Sequence, residues 1–369
     1  MTAFVLFAVL SVRIVAPDPS VPVSLHRPWQ HKFALAAPDE RESLFADGHG
    51  ARREMRDEGS TPAKVWLRWE VSGCKDVFPR SRVRVHHGDR MVFEDVCATN
   101  AIAVDNLLLG ADYGWTVEVR SRGESASACG RFSTERTPPR LVRVDGVPNC
   151  RDLGGWTGLD GRRVRQGLVY RSAGWNDNAE KGLPGAWRLT DESRAEVLKT
   201  LGIRTDIDLR NAPERRGLDV SPIAPGVGYV FSVPSFSSYF SITGENARVS
   251  LRTYLPYFLK PEVKNFPIVF HCIAGADRTG NLAYLLNGLL GVDPEDLLRD
   301  YEFTAFGNTA GWYANRQTPF GGGLAKTRAA LEGAYPGGTE LGRIERFVKD
   351  LGFTDADIAA WRAFMLEGE

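Results

Sequence analysis

The chain has 369 residues, with 46 lysines and arginines against 46 aspartates and glutamates, so its formal net charge is zero. That length allows two domains with their own cores, and the balanced charge, with no basic segment interleaved with aromatic residues, excludes a general affinity for nucleic acid. Five cysteines are too few and too irregularly spaced for a disulfide scaffold. The six histidines show no ligand-like spacing, so neither a metal nor a cofactor is expected.

Residues 1–60 are predicted to be an N-terminal segment that combines a signal-like run with a linker. The apolar run at residues 3–15 is shorter than the roughly 20 residues that span a bilayer, and Arg13 interrupts it. It resembles a weak signal-peptide core, which slightly favours export to the periplasm or the medium over a cytoplasmic location. A disordered or packing tail is the alternative. Residues 38–60 are charged and aperiodic, which indicates a linker or a short solvated helix.

Residues 61–137 are predicted to form an all-β sandwich. Val65, Leu67 and Trp69 recur at every second position, and strand-like segments with turn residues between them follow at 91–97, 101–106, 113–120 and 129–134. Residues 107–117 resemble the loop and penultimate strand of fibronectin type III domains, which pack a tyrosine at a strand corner. Such a domain could bind a protein or glycan ligand. It contains three cysteines, of which one pair could bridge in an exported protein: Cys74, Cys97 and Cys129.

From residue 138 to residue 369 the pattern becomes α/β. Strands are predicted at 205–209, 229–233 and 268–270, and helices at 190–200, 293–304, 339–350 and 354–366. Thr190 is in a position to cap the first of these helices. Alternating strands and helices predict a central, mostly parallel sheet that helices flank.

The stretch at residues 269–280 carries the chemistry expected of the chain. Cys272 and Arg278 stand six positions apart, after an apolar strand and before an apolar helix at 282–290. A loop at such a junction points several backbone N–H groups at one spot, where the helix dipole adds about half a positive charge. A thiolate and a phosphate are both stabilised there, and phosphoryl transfer through a cysteinyl-phosphate is predicted. A buried structural cysteine is the alternative, but it explains Cys272 alone. The residues expected to bind phosphate are Ile273, Ala274, Gly275, Ala276, Asp277 and Arg278.

The pattern His-Cys, five residues, Arg-Thr resembles the signature of the cysteine-based protein tyrosine phosphatases. Its fuller form, Ala-Gly-x-Asp-Arg-Thr-Gly, is similar to a bacterial branch typified by the secreted mycobacterial tyrosine phosphatase B. Three further segments resemble motifs of that branch: residues 147–155, residues 167–172 and residues 201–210, the last followed by Glu214. The resemblance covers roughly residues 140 to 305 well, and it implies a phosphotyrosine-hydrolysing enzyme.

The resemblance also implies roles for the side chains around the cysteine. In this branch the aspartate inside the loop, here Asp277, serves as general acid and base, with Asp152 and Asp208 as alternatives. The other interpretation of Asp277 is a carboxylate that braces the loop. The remaining residues are expected to support the site: His271 by anchoring the loop, Thr279 by a hydrogen bond to the sulfur, and Arg151 and Asp152 by tying their motif to the loop from outside.

The sequence departs from the branch at Ala276, where the best-known member has lysine. Losing that cation lowers the local charge and predicts a preference for phosphotyrosine-like aryl phosphates over inositol phosphates. An inositol-polyphosphate or phosphoinositide phosphatase that uses the same loop is the nearest alternative. A second alternative is a non-catalytic adaptor that binds phosphorylated ligands, which the intact Cys272, Asp277 and Arg278 argue against.

Overall fold

The computed structural model describes residues 9–46, 54–55, 57–74, 76, 79–175, 189–215, 217–234, 242–307 and 323–368. The chain forms two compact units, one of Met1–Arg27 with Pro62–Thr137 and one of Pro28–Thr61 with Pro138–Glu369. Within the described ranges, no helix is long and apolar enough to cross a membrane. The first part of the apolar run predicted as a signal, residues 3–8, lies outside these ranges.

The first unit consists of two antiparallel sheets, with strand orders β1-β2-β5 and β4-β3-β6-β7. Its strands are β1 Ser11–Ala16, β2 Val65–Ser72, β3 Arg80–His87, β4 Arg90–Cys97, β5 Ala101–Val104, β6 Asp112–Ser121 and β7 Glu124–Ser133. Alternate side chains of a strand face opposite sides, and the inward set makes a core that includes Leu67, Val85 and Trp115. The all-β architecture predicted for residues 61–137 is therefore present, with one more strand from residues 11–16.

Tyr113 ties the loop before β6 to that strand. Its hydroxyl accepts a hydrogen bond from the Leu108 N–H at 2.8 Å, and its ring stacks on Phe132 with centroids 5.2 Å apart. The three cysteines of this unit, Cys74, Cys97 and Cys129, are all free thiols, so none of the pairs considered from the sequence is bridged.

Five strands form the central sheet of the second unit, in the order β11-β10-β12-β9-β8. They are β8 Arg151–Asp152, β9 Val169–Ser172, β10 Thr205–Asp208, β11 Gly228–Phe231 and β12 Ile268–His271. The strands β11, β10, β12 and β9 pair in parallel, whereas β8 pairs antiparallel at the edge. The sheet is mostly parallel, as predicted, and its middle strand leads into Cys272.

Helices cover both faces of this sheet. The α-helices of this unit whose bounds the structure describes are α1 Pro28–Leu35, α2 Pro38–Ala46, α3 Asp191–Thr200, α4 Ala212–Arg215, α5 Glu245–Tyr254, α6 Pro256–Leu259, α7 Asp277–Leu289, α8 Pro294–Glu302, α9 Gly323–Ala334, α10 Glu340–Asp350 and α11 Asp355–Met365. On β12, Ile268 and Phe270 pack into the cluster that contains the apolar side of α7, whereas Val269 packs into the cluster that contains Val197 of α3. The predicted cap of α3 is present, because Thr190 accepts a hydrogen bond from the Ser193 N–H.

The structure divides the chain at other points than the sequence predicts, since residues 28–61 belong to the second unit. Within residues 38–60, the mostly exposed helix α2 agrees with the solvated-helix alternative and not with a linker. Phe33 of α1 is fully buried and meets Phe303 and Phe306 edge to face, with ring centroids 5.3 and 5.6 Å apart. Arg41 of α2 is also buried, and its Nε donates to Glu302 Oε2 at 2.6 Å. The segment is held by a few long side chains and not by an apolar stripe, so its charged, aperiodic sequence does not indicate burial.

Candidate active site

The cysteine loop, residues 272–276, connects the end of β12 to the first turn of α7. Both elements are buried, and Cys272 itself is 4% exposed. Gly275 has φ +66, and a Cβ there would lie 2.4 Å from the Ser172 carbonyl oxygen. Only glycine fits this position, because the backbone is left-handed and the loop is pressed against the end of β9. The Gly174 N–H donates to the Ile273 carbonyl at 2.9 Å and secures the other side of the loop.

The carbonyl groups of the loop are held from behind. Asn149 Nδ2 donates to the Ala274 and Gly275 carbonyls at 3.0 and 3.1 Å, and Arg171 Nη2 donates to the Gly275 carbonyl at 2.9 Å. In a trans peptide the C=O and the following N–H point in opposite directions. The N–H groups of Gly275 and Ala276, which share these two peptides, accordingly face away from the donors, and within the described part of the chain the N–H groups of residues 273–276 donate no hydrogen bond.

A buried charged group lies behind the loop and consists of Arg151, Arg171 and Asp300. Asp300 Oδ1 accepts from Arg151 Nε at 2.8 Å, and Oδ2 accepts from Arg171 Nη1. Arg151 also reaches the Asp300 carbonyl at 2.7 Å and donates to the Asn149 side-chain oxygen. Burial raises the pKa of Asp300, but the two guanidinium groups outweigh it and hold that pKa below its ordinary value. Burial, with the charge of Arg151, lowers the pKa of Arg171 to about 10.

Arg278 follows the loop on α7, and a carboxylate fixes its guanidinium. Arg278 Nη1 and Nη2 donate to the two oxygens of Glu214 at 2.6 and 3.0 Å, and Nη1 lies 3.3 Å from the Leu209 carbonyl. Glu214 belongs to the short helix α4, which follows β10. This two-point contact sets the plane of the guanidinium, which is the property that bidentate recognition of a phosphate needs.

Asp277 is 3% exposed at the start of α7, and two donors hold its carboxyl group. The Tyr301 hydroxyl donates to Asp277 Oδ1 at 2.6 Å, and the Gly323 N–H approaches the same oxygen at 3.3 Å. Burial and the charge of Asp277 raise the pKa of Tyr301 well above its ordinary value, so the phenol stays a neutral donor. The carboxyl group is oriented by side-chain and backbone contacts from α8 and α9.

His271 ends β12 and is fully buried beside the carboxylates of β10. Its Nε2 lies 3.0 Å from Asp206 Oδ1, without the alignment of a hydrogen bond, and its Nδ1 lies 3.3 Å from the Cys272 carbonyl. Asp208 accepts from Arg210 Nη2 and from the Tyr229 hydroxyl, each at 2.7 Å. Burial raises the pKa of Asp208, but the charges of His271 and Arg210 and these hydrogen bonds bring it well below its ordinary value. A carboxylate that is ionised and already accepts several hydrogen bonds has no proton to donate, so Asp208 does not suit the general-acid role considered for it.

Asp152 holds its own motif together and does not reach the loop. Its oxygens accept from Arg140 Nη1 at 2.7 Å and from the backbone N–H groups of Gly154 and Gly167 at 2.8 and 2.6 Å. Burial raises the pKa of Asp152 despite the charge of Arg140. The structure therefore joins Arg151 to the loop, through Asn149 and Asp300, but places Asp152 in a separate ion pair, contrary to the expectation that both tie the motif to the loop.

Thr279 is fully buried one position after Arg278, and its Oγ1 has no hydrogen-bond partner among the described residues, Cys272 Sγ included. The described residues also contain no group of three or more histidine, cysteine, aspartate or glutamate side chains that could hold a metal ion.

The sequence reasoning missed the roles of Asn149, Arg171 and Asp300. The first two lie inside the motifs at 147–155 and 167–172, whereas nothing in the sequence distinguishes Asp300 from other acidic residues on a helix.

Known proteins that are similar to this chain are tyrosine phosphatases. A protein of Cupriavidus necator assigned as a tyrosine-protein phosphatase is 32% identical over 184 residues, which cover 43% of this chain and 61% of that relative. A tyrosine-protein phosphatase of Nostoc commune is 27% identical over 202 residues, which cover 46% of this chain and 68% of the relative. Residues 142–367, which include the cysteine loop, match the profile of the tyrosine phosphatase family. The chain belongs to the tyrosine phosphatase family.

Proposed function

We propose that this protein hydrolyses phosphotyrosine-type phosphomonoesters through a cysteinyl-phosphate on Cys272. The observation that carries the proposal is the cysteine loop, in which the N–H groups of residues 273–276 donate to no described residue. The carbonyls of Ala274 and Gly275 are held by Asn149 and Arg171, so the N–H groups of Gly275 and Ala276, which belong to the same peptides, keep one direction. A row of aligned N–H groups at a helix start fits the equatorial oxygens of a phosphate. Membership of the family supports the same chemistry.

In the first step the Cys272 thiolate attacks phosphorus opposite the ester oxygen. The S–P bond forms as the P–O bond to the leaving group breaks, while Arg278 and the loop N–H groups hold the three remaining oxygens. Asp277, in its acid form, donates a proton to the leaving oxygen. The contact of the Tyr301 hydroxyl with Oδ1 supports this role, because it fixes the direction of the carboxyl group.

In the second step a water molecule attacks phosphorus and the S–P bond breaks. The Asp277 carboxylate takes a proton from that water, inorganic phosphate forms, and Cys272 leaves as the thiolate. Arg278, with its plane set by Glu214, holds the phosphate oxygens in both steps. The cycle returns Asp277 to its acid form and Cys272 to the thiolate.

The charge of the loop favours aryl monophosphates over inositol phosphates. Residue 276, where lysine stands in the typical member of the resembling branch, is a buried alanine, and the arginine that follows the loop is Arg278 on α7. A panel of a phosphotyrosine peptide, a phosphoserine peptide, a phosphoinositide and phytate tests the preference. We expect the highest kcat/KM for the phosphotyrosine peptide, and a strong preference for the phosphoinositide would contradict it.

Two variants test the nucleophile against a matched control. Cys272→Ser should abolish hydrolysis of p-nitrophenyl phosphate, whereas Cys150→Ser should keep it, because Cys150 is a buried thiol of the same unit in an apolar cluster. Burial raises the pKa of Cys150 to about 12, so it stays a thiol at neutral pH. Full activity of the Cys272→Ser variant would refute the proposal. Absence of activity in the unmodified protein would favour the alternative of a non-catalytic adaptor that binds phosphorylated ligands.

Leaving-group dependence tests Asp277. Asp277→Asn should lower kcat for phenyl phosphate by about 100-fold or more and for 2,4-dinitrophenyl phosphate much less, since a good leaving group needs no proton. Equal losses on both esters would assign Asp277 a bracing role only.

We also propose that the first unit is a fibronectin type III-like domain and that the second belongs to the bacterial branch named above. The two antiparallel sheets and the Tyr113 hydrogen bond to Leu108 support the first assignment. The motif at residues 147–155, whose Asn149 contacts the loop, supports the second. A solved structure with another strand order in the first unit would contradict the fibronectin assignment.

A further inference from the structure

Ser60 contacts the residue that holds the cysteine loop. Its Oγ accepts a hydrogen bond from the Asn149 N–H at 2.9 Å, and both residues are buried. Ser60 precedes Asn149 by 89 positions and lies outside residues 142–367, which match the family profile. The hydrogen bond therefore joins a residue from outside the matched region to one inside it.

The backbone of Asn149 is left-handed, with φ +58. This conformation is unfavourable for residues other than glycine, although asparagine tolerates it better than most, and it persists where the surrounding contacts fix it. Ser60 holds the N–H of Asn149, and on another side Gly307 packs so closely that an added Cβ would lie 3.0 Å from the Asn149 Cβ. Without the hydroxyl of Ser60, a buried N–H would lose its acceptor, which is costly.

The side chain of Asn149 transmits the position of its backbone to the loop. Its Oδ1 accepts a hydrogen bond from Arg151, and a guanidinium only donates, so the amide has one orientation. In that orientation Nδ2 donates to the Ala274 and Gly275 carbonyls at 3.0 and 3.1 Å. A rotation of the Asn149 backbone would move Nδ2, and with it the two peptides whose N–H groups belong to Gly275 and Ala276.

Ser60 is itself held in place by α1. The side-chain amide of Gln30 donates to the carbonyls of Gly59 and Thr61, the two neighbours of Ser60, at 2.7 and 3.0 Å. Glu58 Oε1 in turn accepts from the Gln30 N–H at 2.8 Å. Gln30 is fully buried, and its helix is anchored by the aromatic contacts described above. The hydroxyl of Ser60 is therefore presented from a backbone that is fixed on both sides.

We infer that Ser60 is a positioning residue of the phosphate site, because it fixes the backbone of Asn149 and thereby the direction of the Gly275 and Ala276 N–H groups. The inference rests on the proposed function, in which these N–H groups hold phosphate oxygens. Hydrogen bonds to an anion weaken steeply when the donor is misaligned. Loss of the hydroxyl should therefore weaken the binding of a tetrahedral oxyanion, whereas a merely structural role would lower stability alone.

The experiment measures the Kd of tungstate, a tetrahedral oxyanion, by isothermal titration calorimetry on the full chain, together with the midpoint of urea unfolding. Ser60→Ala should raise the Kd about threefold or more. Asn149→Gly removes the amide but suits the left-handed backbone, and it should raise the Kd about tenfold or more. Arg278→Ala locates the oxyanion, because it removes the guanidinium next to the loop and should abolish measurable binding.

Two control variants break bonds of the same kind away from the loop. Thr339 Oγ1 accepts from the Gly342 N–H at 3.1 Å at the start of α10, so Thr339→Ala matches Ser60→Ala. Asn287 Nδ2 donates to the Leu153 carbonyl at 3.2 Å, so Asn287→Ala matches Asn149→Gly. Both controls should lower the midpoint of urea unfolding and keep the Kd of tungstate within about twofold of that of the unmodified protein.

The inference would be overturned by an unchanged Kd in Ser60→Ala or in Asn149→Gly, by an equal increase of the Kd in the matched control, or by absence of tungstate binding that depends on Arg278. If Asn149→Gly does not fold, Ser60→Ala and Thr339→Ala still decide. Binding requires no turnover. The expected changes of the Kd in a protein that hydrolyses no phosphomonoester would therefore refute the proposed function and leave the inference intact, whereas hydrolysis with an unchanged Kd in Ser60→Ala would do the reverse.

Discussion

Replacing Gly275 by alanine should damage both the stability of the second unit and its catalysis. A Cβ at this position would lie 2.4 Å from the Ser172 carbonyl oxygen and 2.7 Å from the Ala173 nitrogen, both of which are backbone atoms. The loop must then move by about 1 Å to restore an ordinary contact of 3.4 Å. Left-handed backbone costs a non-glycine residue about 1–2 kcal/mol, and overpacking adds about 1–3 kcal/mol. We expect the free energy of unfolding to fall by about 2–5 kcal/mol.

Gly202 provides the matched control, because it has φ +63 and its nearest neighbour to a Cβ is the Leu198 carbonyl at 4.0 Å. Gly202→Ala should lose only the backbone contribution of about 1–2 kcal/mol and keep its activity. Gly275→Ala should in addition lose about 100-fold in kcat for p-nitrophenyl phosphate, since a displacement of about 1 Å in a catalytic geometry has effects of that size. Urea unfolding and steady-state kinetics measure the two quantities. Equal losses of stability in the two variants, with kcat unchanged in Gly275→Ala, would refute the reasoning.

Three further predictions concern the contacts around the loop. Glu214→Gln removes the anion that sets the plane of the Arg278 guanidinium. We therefore expect kcat to fall about tenfold or more with a smaller change in KM. An unchanged kcat would show that Arg278 needs no such partner. Tyr301→Phe removes the hydroxyl that donates to Asp277. We expect kcat to drop several-fold more for phenyl phosphate than for 2,4-dinitrophenyl phosphate. Equal losses of kcat for the two esters would contradict the idea that Tyr301 orients the Asp277 carboxyl group. Burial raises the pKa of Glu302 from its ordinary 4.5 to about 7. The folded state then binds the Glu302 proton more tightly than the unfolded chain does. The stabilisation that this proton gives the folded state is complete below pH 4.5 and is lost as the pH rises through 7. The free energy of unfolding should fall by about 3 kcal/mol over that range, and urea unfolding of Glu302→Gln should lack this decrease; the same decrease in that variant would assign it to another group.

Much of the fold of the second unit follows from local patterns. The strand before Cys272 is apolar and the helix after Arg278 is mostly apolar, so few other structures fit this part of the sequence. The mostly parallel sheet and the Thr190 cap were predicted in the same way. The strand β11 ends two residues earlier than predicted. A strand ends where its backbone stops pairing with its neighbour, and the residue types need not change at that point.

Contacts between residues distant in the sequence were not predictable in this way. Asp300 stands 149 positions from Arg151 and 129 from Arg171, and no spacing rule connects them. The assignment of residues 28–61 to the second unit depends on Phe33 and Arg41 meeting α8 and the residues that follow it. A pairing that forms only when distant elements pack leaves no periodic signal in either segment.

The sequence alone determined the order of strand, cysteine, glycine, arginine and helix, because those residues are neighbours in the chain and their backbone geometry is local. Tertiary structure decided which groups surround them: Glu214 on Arg278, Tyr301 on Asp277 and the Arg171–Asp300 pair behind the loop. The physical reason is that a buried charge takes whichever partner the packing of distant elements brings within hydrogen-bonding distance.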